Sequence, residues 1–294
     1  MPSFRPEPEP ACTDVTACYS SWKTGAGSTG PSHQRLTLSS KHTHAIGGRG
    51  LFGQVEGRTA TSLADWLTRQ PDIWEAQIKY VAIDLCTTFR GAIRQALPGA
   101  TVVVDCFHIV QIAQRHLADL RRHHTWKQHN RRARKGDPVY TVRKLLRRNK
   151  EDLTPTQHAL IAAELTQMGT YGRQILAGRR AEEILRDLLH LASKHTHTTP
   201  DRSAISAARD RFNAHLADHA HLLELRTLAE TINHWWHGIK AYIVTGITNA
   251  ASEGNNRLIK LEARKAFGFR NRENPRLRSR CATTRRARRA VHPH

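Results

Sequence analysis

Two acidic residues follow apolar runs of the sequence at points where a metal ion could be held. Asp84 ends the run 80–83 and Asp105 ends the similar run 101–104. Such runs predict buried parallel strands, and the carboxyl ends of parallel strands form the ligand-binding edge of an α/β sheet. Two carboxylates at one edge repel each other unless they share a divalent cation, which favours Mg²⁺. Either Asp alone could equally well end its strand and cap the next helix.

A third acid, Glu253, lies in the sequence Thr-Asn-Ala-Ala-Ser-Glu-Gly-Asn-Asn-Arg-Leu-Ile-Lys. Asn249 or Ser252 can cap a helix there, which puts Glu253 in the first turn, where the helix dipole favours a carboxylate. Asn256 and Lys260 follow on the same face. An acid, an amide and an ammonium together suit a metal and a phosphate, although the residues alone favour an ordinary capping Glu.

His108 follows Asp105 by three residues, in the sequence Asp-Cys-Phe-His. It could form a zinc site with Cys106, but the sequence offers no second pair of ligands, so this reading is disfavoured. A position next to the metal or facing a phosphate is the better interpretation.

The elements that must position these acids alternate between strand and helix. We expect a strand over 51–55, a helix capped by Ser62 that follows it, and a second helix over 87–97 between the two apolar runs. From residue 107 to about residue 246 the pattern is helical, which predicts an α/β fold with a large helical insertion. Residues 1–45 show no strand or helix periodicity, and we expect them to be irregular or disordered.

The charge of the chain predicts a polyanionic partner. It has 46 Lys and Arg against 25 Asp and Glu, a net charge of +21. Residues 115–150 and 257–294 hold 13 basic residues each. This concentration favours nucleic acid over a solvated surface or a coding bias toward Arg. The five scattered cysteines indicate no disulfide framework, and without a membrane-length apolar run or a signal core we expect a cytoplasmic protein with no membrane partner.

Three blocks of the sequence resemble the bacterial DDE transposases of the L-three insertion-sequence group. They are Val-Ala-Ile-Asp84, Val-Asp105-Cys-Phe-His108 and the block around Glu253, which Ala-Phe-Gly-Phe-Arg-Asn271 follows. The resemblance covers about residues 50–280. It implies a ribonuclease-H-like mixed sheet interrupted by a large all-helical insertion before the helix that carries the Glu.

The resemblance also implies an activity, which is Mg²⁺-dependent DNA cleavage and strand transfer at the ends of a mobile element, with Mn²⁺ as a substitute. Asp84 and Glu253 match metal-binding catalytic acids of the family, and Asp105 is a further catalytic candidate in a motif of less clear role. His108, Asn256 and Lys260 are expected next to the metal or facing a phosphate.

The family carries its first Asp on the first strand, which here falls within residues 1–45. Asp14 is the only Asp in that segment, and no apolar strand surrounds it. We therefore expect the first acid to be absent and the chain to be a truncated or frame-shifted copy. In an alternative alignment Asp84 and Asp105 are the first two acids. It is disfavoured, because the segment before Asp84 reads as the third strand and first helix.

These expectations divide the chain into an irregular segment, two parts of the core around a helical insertion, and a basic tail: 1–45, 46–112, 113–232, 233–272 and 273–294. The expected partner is double-stranded DNA, both element ends and target, with homo-oligomers an option in the transposition complex. Seven basic residues are expected to contact it: Arg131, Arg132, Arg134, Lys135, Arg264, Lys265 and Arg270. Two rival hypotheses are an inactive remnant that only binds DNA and an RNA-associated basic protein.

Overall fold

The computed structural model describes residues 13–23, 32–40, 50–56, 59–266 and 273–291. The chain forms two compact units. The first, which we call the sheet unit, contains the described residues up to Asp105 and again from Ile247 onward. The second, the helical unit, runs from Cys106 to Gly246.

The sheet has five strands among the described residues, in the spatial order β3-β2-β1-β4-β5. Their bounds are β1 Thr13–Lys23, β2 Ser32–Ser40, β3 Gly50–Glu56, β4 Ile78–Ile83 and β5 Thr101–Val104. The first three strands pair antiparallel, whereas β4 pairs parallel to β1 and β5 parallel to β4. The sequence prediction of an α/β fold is therefore confirmed, with the two apolar runs as its parallel strands β4 and β5.

The first two strands correct the expectation of an irregular segment over residues 1–45. Residues 13–23 and 32–40 are strands, while residues 1–12, 24–31 and 41–45 lie outside the described residues. These strands have weak local signals, since β2 contains only two apolar residues, Leu36 and Leu38. Their β structure depends on pairing with neighbouring strands, and strand formation generally depends more on such context than on intrinsic preference.

Helices make up most of the remaining described chain. In chain order they are α1 Ala60–Thr68, α2 Asp72–Gln77, α3 Thr87–Ala96, α4 Cys106–His129, α5 Pro138–Val142, α6 Pro155–Gln167, α7 Thr170–His190, α8 Ser193–Thr196, α9 Arg202–Asp218, α10 Leu223–Thr245, α11 Ala250–Lys265 and α12 Glu273–Val291. None of the described helices combines the length and the hydropathy that crossing a bilayer requires.

In the sheet unit, α1 packs against α3, and α11 lies against β1 and β2. Helix α1 begins one turn earlier than expected, because Thr59 is its cap and accepts a hydrogen bond from the Ser62 N–H at 3.1 Å. The expectation that Ser62 itself is the cap was wrong. The β4 and β5 residues nearest the acids are fully buried, Ile83 and Val104 having no exposed surface. This packing fixes the ends of β4 and β5, and with them the positions of Asp84 and Asp105.

The helical unit is built around the packing of α4 against α7 and α10. Two glycines of α7 allow close approach: a Cβ on Gly178 would lie 2.8 Å from Cδ2 of Leu120, and one on Gly172 only 1.8 Å from the Leu165 carbonyl oxygen. Within α7, the half-buried Arg186 donates to the buried Glu182 carboxylate at 2.8 Å. Gln114 of α4 donates to the same carboxylate at 3.2 Å.

The helical unit extends beyond the insertion expected at residues 113–232. Helix α4 starts directly after Asp105, and α10 continues to Thr245 before Gly246 ends it with a positive φ of 67°. Both helices are continuous, so each belongs to one unit along its whole length. The division of the chain into core, insertion and tail that the sequence suggests stays a prediction.

Candidate functional site

Asp84 and Asp105 come directly after neighbouring parallel strands, at the same edge of the sheet. Ile83 of β4 is level with Val104 of β5, which places the following two acids side by side in register. The Asp105 N–H donates to the Ile83 carbonyl at 3.2 Å, so the pairing continues one residue past the strand. Asp105 is 4% exposed and Asp84 is half-buried.

Glu253 reaches this edge from a distant part of the chain. It lies in the first turn of α11, where its N–H donates to the Asn249 carbonyl at 3.0 Å. A carboxylate oxygen of Glu253 lies within 4.8 Å of one of Asp105. We call Asp84, Asp105 and Glu253 the acidic edge. At this separation two half-buried or buried carboxylates repel each other strongly, and a cation or a shared proton relieves the repulsion.

Asn249 ties α11 to the acidic edge through its side chain. Asn249 and Ser252 were the two expected caps; Asn249 does occupy the N-cap position, but its side chain makes no capping hydrogen bond. Its Nδ2 instead donates to Oδ1 of Asp84. Asn249 is fully buried, and among the described residues its own Oδ1 has no hydrogen-bond partner. Sequence reasoning missed this contact, because 165 positions separate the two residues.

The residues expected next to the metal or a phosphate differ in accessibility. On α11, Asn256 is buried and Lys260 is exposed, although they share the face of Glu253. His108 is half-buried in the first turn of α4, in the helical unit. Cys106 begins that helix and forms no disulfide bond with another described residue. The roles of His108, Asn256 and Lys260 stay predictions.

Strand β1 carries Asp14 at a position remote from the acidic edge. Asp14 is level with Tyr80 of β4, and the ladder ends with Ala17 level with Ile83. Asp14 therefore lies four residues before the level of Asp84, a distance of roughly 13 Å at about 3.3 Å per residue. Asp14 thus lies in a strand, although the sequence predicts no apolar strand around it, and the register places no acid of β1 beside Asp84.

The basic residues expected to contact DNA fall into two groups. In the helical unit, Arg132, Arg134 and Lys135 are exposed in the segment after α4, and Arg131 is half-buried. In the sheet unit, Arg264 and Lys265 are exposed at the end of α11. Arg270 lies outside the described residues. Exposed cations of this kind can contact a phosphate backbone without rearrangement.

Arg131 differs from the other basic residues that are expected to contact DNA, because it already has an anionic partner. Its guanidinium donates two hydrogen bonds to the Asp137 carboxylate, at 2.7 and 2.9 Å. The Arg134 N–H donates to the same carboxylate at 2.7 Å. These contacts hold the pKa of Asp137 far below its usual range, the Arg131 hydrogen bond being the main cause. Arg131 therefore orders the loop, and the charge that it offers to DNA is partly neutralised.

Comparison with known proteins agrees with the motifs. The family model described as transposase, for DDE transposases of the L-three insertion-sequence group, matches residues 30–279. The transposase for insertion sequence element IS1001 of Bordetella parapertussis is 27% identical to the chain over 228 residues. That alignment covers 77% of this chain and 52% of the relative, so the chain spans about half the length of the curated relative. The family match covers most of the chain, and the chain belongs to the DDE transposases of the L-three insertion-sequence group.

Proposed function

We propose that this chain cleaves the DNA ends of an insertion sequence and joins them to target DNA, in a reaction that requires Mg²⁺ or Mn²⁺. The observation that carries the proposal is the approach of the Asp105 and Glu253 carboxylates to within 4.8 Å at the carboxyl edge of the sheet. The edge of the parallel strands is where α/β sheets bind ligands. We infer that the substrate is DNA from the membership of the chain in a transposase family.

The acidic edge fits a hard divalent cation. Its donors are carboxylate oxygens, which Mg²⁺ and Mn²⁺ prefer over the softer ligands that select zinc or copper. We propose that Asp105 and Glu253 hold the ion, together with Asp84, which leaves the adjacent strand at the same level. When bound, such an ion lowers the pKa of an attacking water or hydroxyl and stabilises the negative charge of the leaving oxygen.

Asn249 gives Asp84 a defined orientation at this edge. Its amide donates to one Asp84 oxygen and so ties that carboxylate to the start of α11. We propose that Asn256 and Lys260, on the same helix as Glu253, orient the carboxylates or face a phosphate. The expected role of His108, in the helical unit, stays a prediction.

The strand order supports a ribonuclease-H-like core. Three antiparallel strands followed by two parallel ones, in the order β3-β2-β1-β4-β5, match the arrangement that the family resemblance implies. We propose that residues 46–112 and 233–272 supply this core, with 113–232 as the insertion and 273–294 as a basic tail. The expected basic residues would contact duplex DNA, in an assembly whose oligomeric state is open, and the cytoplasm is the expected location.

A second candidate function is DNA binding without cleavage. The observation that favours it is the register of β1, in which Ala17, and not an acid, is level with Ile83. A site with only the acids of β4, β5 and α11 would bind its cation more weakly and turn over more slowly. The basic surfaces would still bind DNA, since backbone contacts need no cation at the acidic edge.

A cleavage assay with matched variants of α11 separates the two functions. The purified chain is incubated with labelled duplex carrying the inverted repeats of its element, across a series of Mg²⁺ and Mn²⁺ concentrations. We expect nicking by the wild type and a loss of at least ~100-fold in Glu253→Gln, which removes the charge but keeps the size. The control is Glu262→Gln on the same helix, whose carboxylate pairs only loosely with Lys265, at 3.6 Å.

The outcome of the assay decides between the proposals. Nicking that depends on the cation and on Glu253, but not on Glu262, supports the transposase reaction. Binding without nicking at every Mg²⁺ and Mn²⁺ concentration contradicts it and favours the non-catalytic protein. Tighter binding to duplex RNA than to the same DNA sequence would contradict both and favour the RNA-associated protein.

A further inference from the structure

A second site of different chemistry lies within the helical unit, between the end of α4 and the start of α5. It is a cavity of about 690 Å³, within the ~300–1,000 Å³ range typical of small-ligand sites. Five arginines line it, and no Asp or Glu does: Arg121, Arg122, Arg131, Arg132 and Arg143. We call this cavity the arginine pocket. Its lining selects for an anion.

Two of the five arginines are already paired with carboxylates. Arg131 binds Asp137, and Arg122 forms an ion pair with Asp119. Within the described part of the chain, no carboxylate pairs with the other three, Arg121, Arg132 and Arg143.

Arg121 and Arg143 are also half-buried, so their charges are less well screened by water than those of exposed arginines. Burial and the neighbouring Arg122 and Arg143 lower the pKa of Arg121. A bound phosphate would relieve this crowding.

The pocket also contains aromatic surface. Trp126 lines it and is 56% exposed, although tryptophan is normally well buried. Tyr140 also lines the cavity, with the Arg143 guanidinium 3.4 Å from its ring centroid. More than half of the Trp126 surface is therefore accessible to a ligand, whereas the tyrosine ring is covered by a cation. An aromatic face beside arginines is the combination that binds unpaired bases together with their phosphates.

We propose that the arginine pocket binds one unpaired nucleotide of DNA, with its base stacked on Trp126 and its phosphates beside Arg121 and Arg143. The inference rests on the proposed DNA function of the chain and adds a preference for unpaired over duplex DNA. A duplex backbone would use the arginines but not the indole, because its bases are stacked inside the helix. An extruded or terminal nucleotide can use both.

The preference is tested by fluorescence anisotropy on the full chain, with EDTA present so that no cleavage occurs. One probe is a blunt duplex. The second is the same duplex with a short single-stranded extension, and the third carries abasic residues in that extension. We expect the wild type to bind the extended probe about tenfold more tightly than the other two, as one base–aromatic stack contributes ~1–3 kcal/mol. Trp126→Ala should abolish the difference between the normal and the abasic extension and keep the affinity for blunt duplex.

Two further variants make the result specific. Trp126→Phe should keep most of the preference, because a smaller aromatic face remains. Trp236→Ala removes another tryptophan of the helical unit, one whose ring has the Arg209 guanidinium 4.2 Å from its centroid, and should leave the preference unchanged. Thermal unfolding of each variant checks that it is folded, which the exposure of Trp126 favours.

Equal wild-type affinity for all three probes overturns the proposal. A loss of affinity in Trp126→Ala that is the same for blunt and extended DNA also overturns it, since the pocket would then bind the duplex backbone. If the chain binds the abasic and the normal extension with the same affinity, the base has no role in binding. Because binding is measured without a divalent cation, a chain that cannot cleave DNA would still reveal the preference, and the two proposals can fail separately.

Discussion

The acidic edge and the arginine pocket are assembled in different ways. The acids come from the ends of two strands and the first turn of α11, segments that are far apart in the sequence. The arginines come from residues 121–143: the second half of α4, the loop after it and the residue that follows the short helix α5. The first site therefore exists only when the whole sheet unit is folded, whereas the second is built from local geometry.

This difference predicts how each site responds to change. Asp105 is almost fully buried and Asn249 is fully buried, so a substitution there removes a group that nothing nearby can replace. The arginines of the pocket are exposed or half-buried and carry the same charge, so losing one leaves the others in place. We expect large, all-or-none effects at the acidic edge and graded effects in the arginine pocket.

The largest effect is expected from Asp105→Asn. It keeps the shape of the side chain but removes a charge within 4.8 Å of Glu253, so the edge should lose most of its affinity for a divalent cation. We expect at least ~100-fold slower cleavage and a matching loss of Mn²⁺ binding, measured by electron paramagnetic resonance on the purified chain.

The matched control for this variant is Asp72→Asn, at the exposed start of α2. It carries the same change of charge in the same unit and should leave both measurements unchanged. If Asp105→Asn cleaves and binds Mn²⁺ like the wild type, then Asp105 only ends its strand, and the metal site must be sought around Asp84 and Glu253.

A smaller effect is expected from Asn249→Ala, which removes the amide that donates to Asp84. The Asp84 carboxylate loses a partner and a fully buried side chain is truncated, so the free energy of unfolding should fall by ~1–3 kcal/mol. Urea denaturation followed by circular dichroism measures this change. Cleavage should fall as well, because Asp84 loses its fixed orientation.

Asn249→Asp sharpens the test, since it keeps the size of the side chain and replaces an attraction by a repulsion between two carboxylates. It should be less stable than Asn249→Ala near neutral pH. It should also regain stability as the pH falls and one of the two acids becomes protonated. Equal stability of the wild type and both variants would mean that the contact with Asp84 has no energetic importance.

The sequence was sufficient to predict the parts of the fold that have strong local signals. The apolar runs before Asp84 and Asp105 predicted β4 and β5, and the helical pattern from residue 107 to about residue 246 predicted the helices of that region, α10 among them. Strands β1 and β2 could not be predicted, because their structure depends on their pairing partners more than on their own residues. Their context includes β4, which is far away in the sequence.

The same distinction applies to the sites. The acids could be singled out, since each lies beside a recognisable strand or helix end. The contact between Asn249 and Asp84 could not, because Asn249 also fits the local role of a helix cap. In the basic segment, the sequence grouped Arg131 with its neighbours, but the turn over 134–137 brings Asp137 onto it. Charge counting identifies a basic surface without identifying which cations are already paired.

In the arginine pocket, Arg132→Gln should have a modest effect on duplex binding. Arg132 is exposed and, within the described residues, has no carboxylate partner, so its loss should reduce the slope of log affinity against log salt by ~0.9. Fluorescence anisotropy across a salt series measures the slope. The control Arg173→Gln makes the same charge change on α7, outside the basic residues 115–150. An identical slope for both variants would contradict a specific contact of Arg132 with DNA.

The smallest effect is expected from His124, which is a buried residue of α4 whose ring stacks on Tyr171 at 4.9 Å between centroids. Its ring nitrogens have no hydrogen-bond partner among the described residues, and burial, with a smaller contribution from His123, lowers its pKa. The unfolded chain, with a His pKa of about 6.5, therefore binds this proton more readily than the folded chain. Stability should be highest above about pH 6.5 and fall as the pH decreases through the folded pKa.

His124→Phe removes the titrating group while keeping a ring against Tyr171. We expect its melting temperature to fall by about 2 °C less than that of the wild type between about pH 7.5 and pH 5.5. The pKa values of His116 and His195 are also lowered by burial, so part of the pH dependence should remain in the variant. If the variant and the wild type lose the same stability on acidification, His124 does not contribute, because its proton is then bound equally in the folded and unfolded chain.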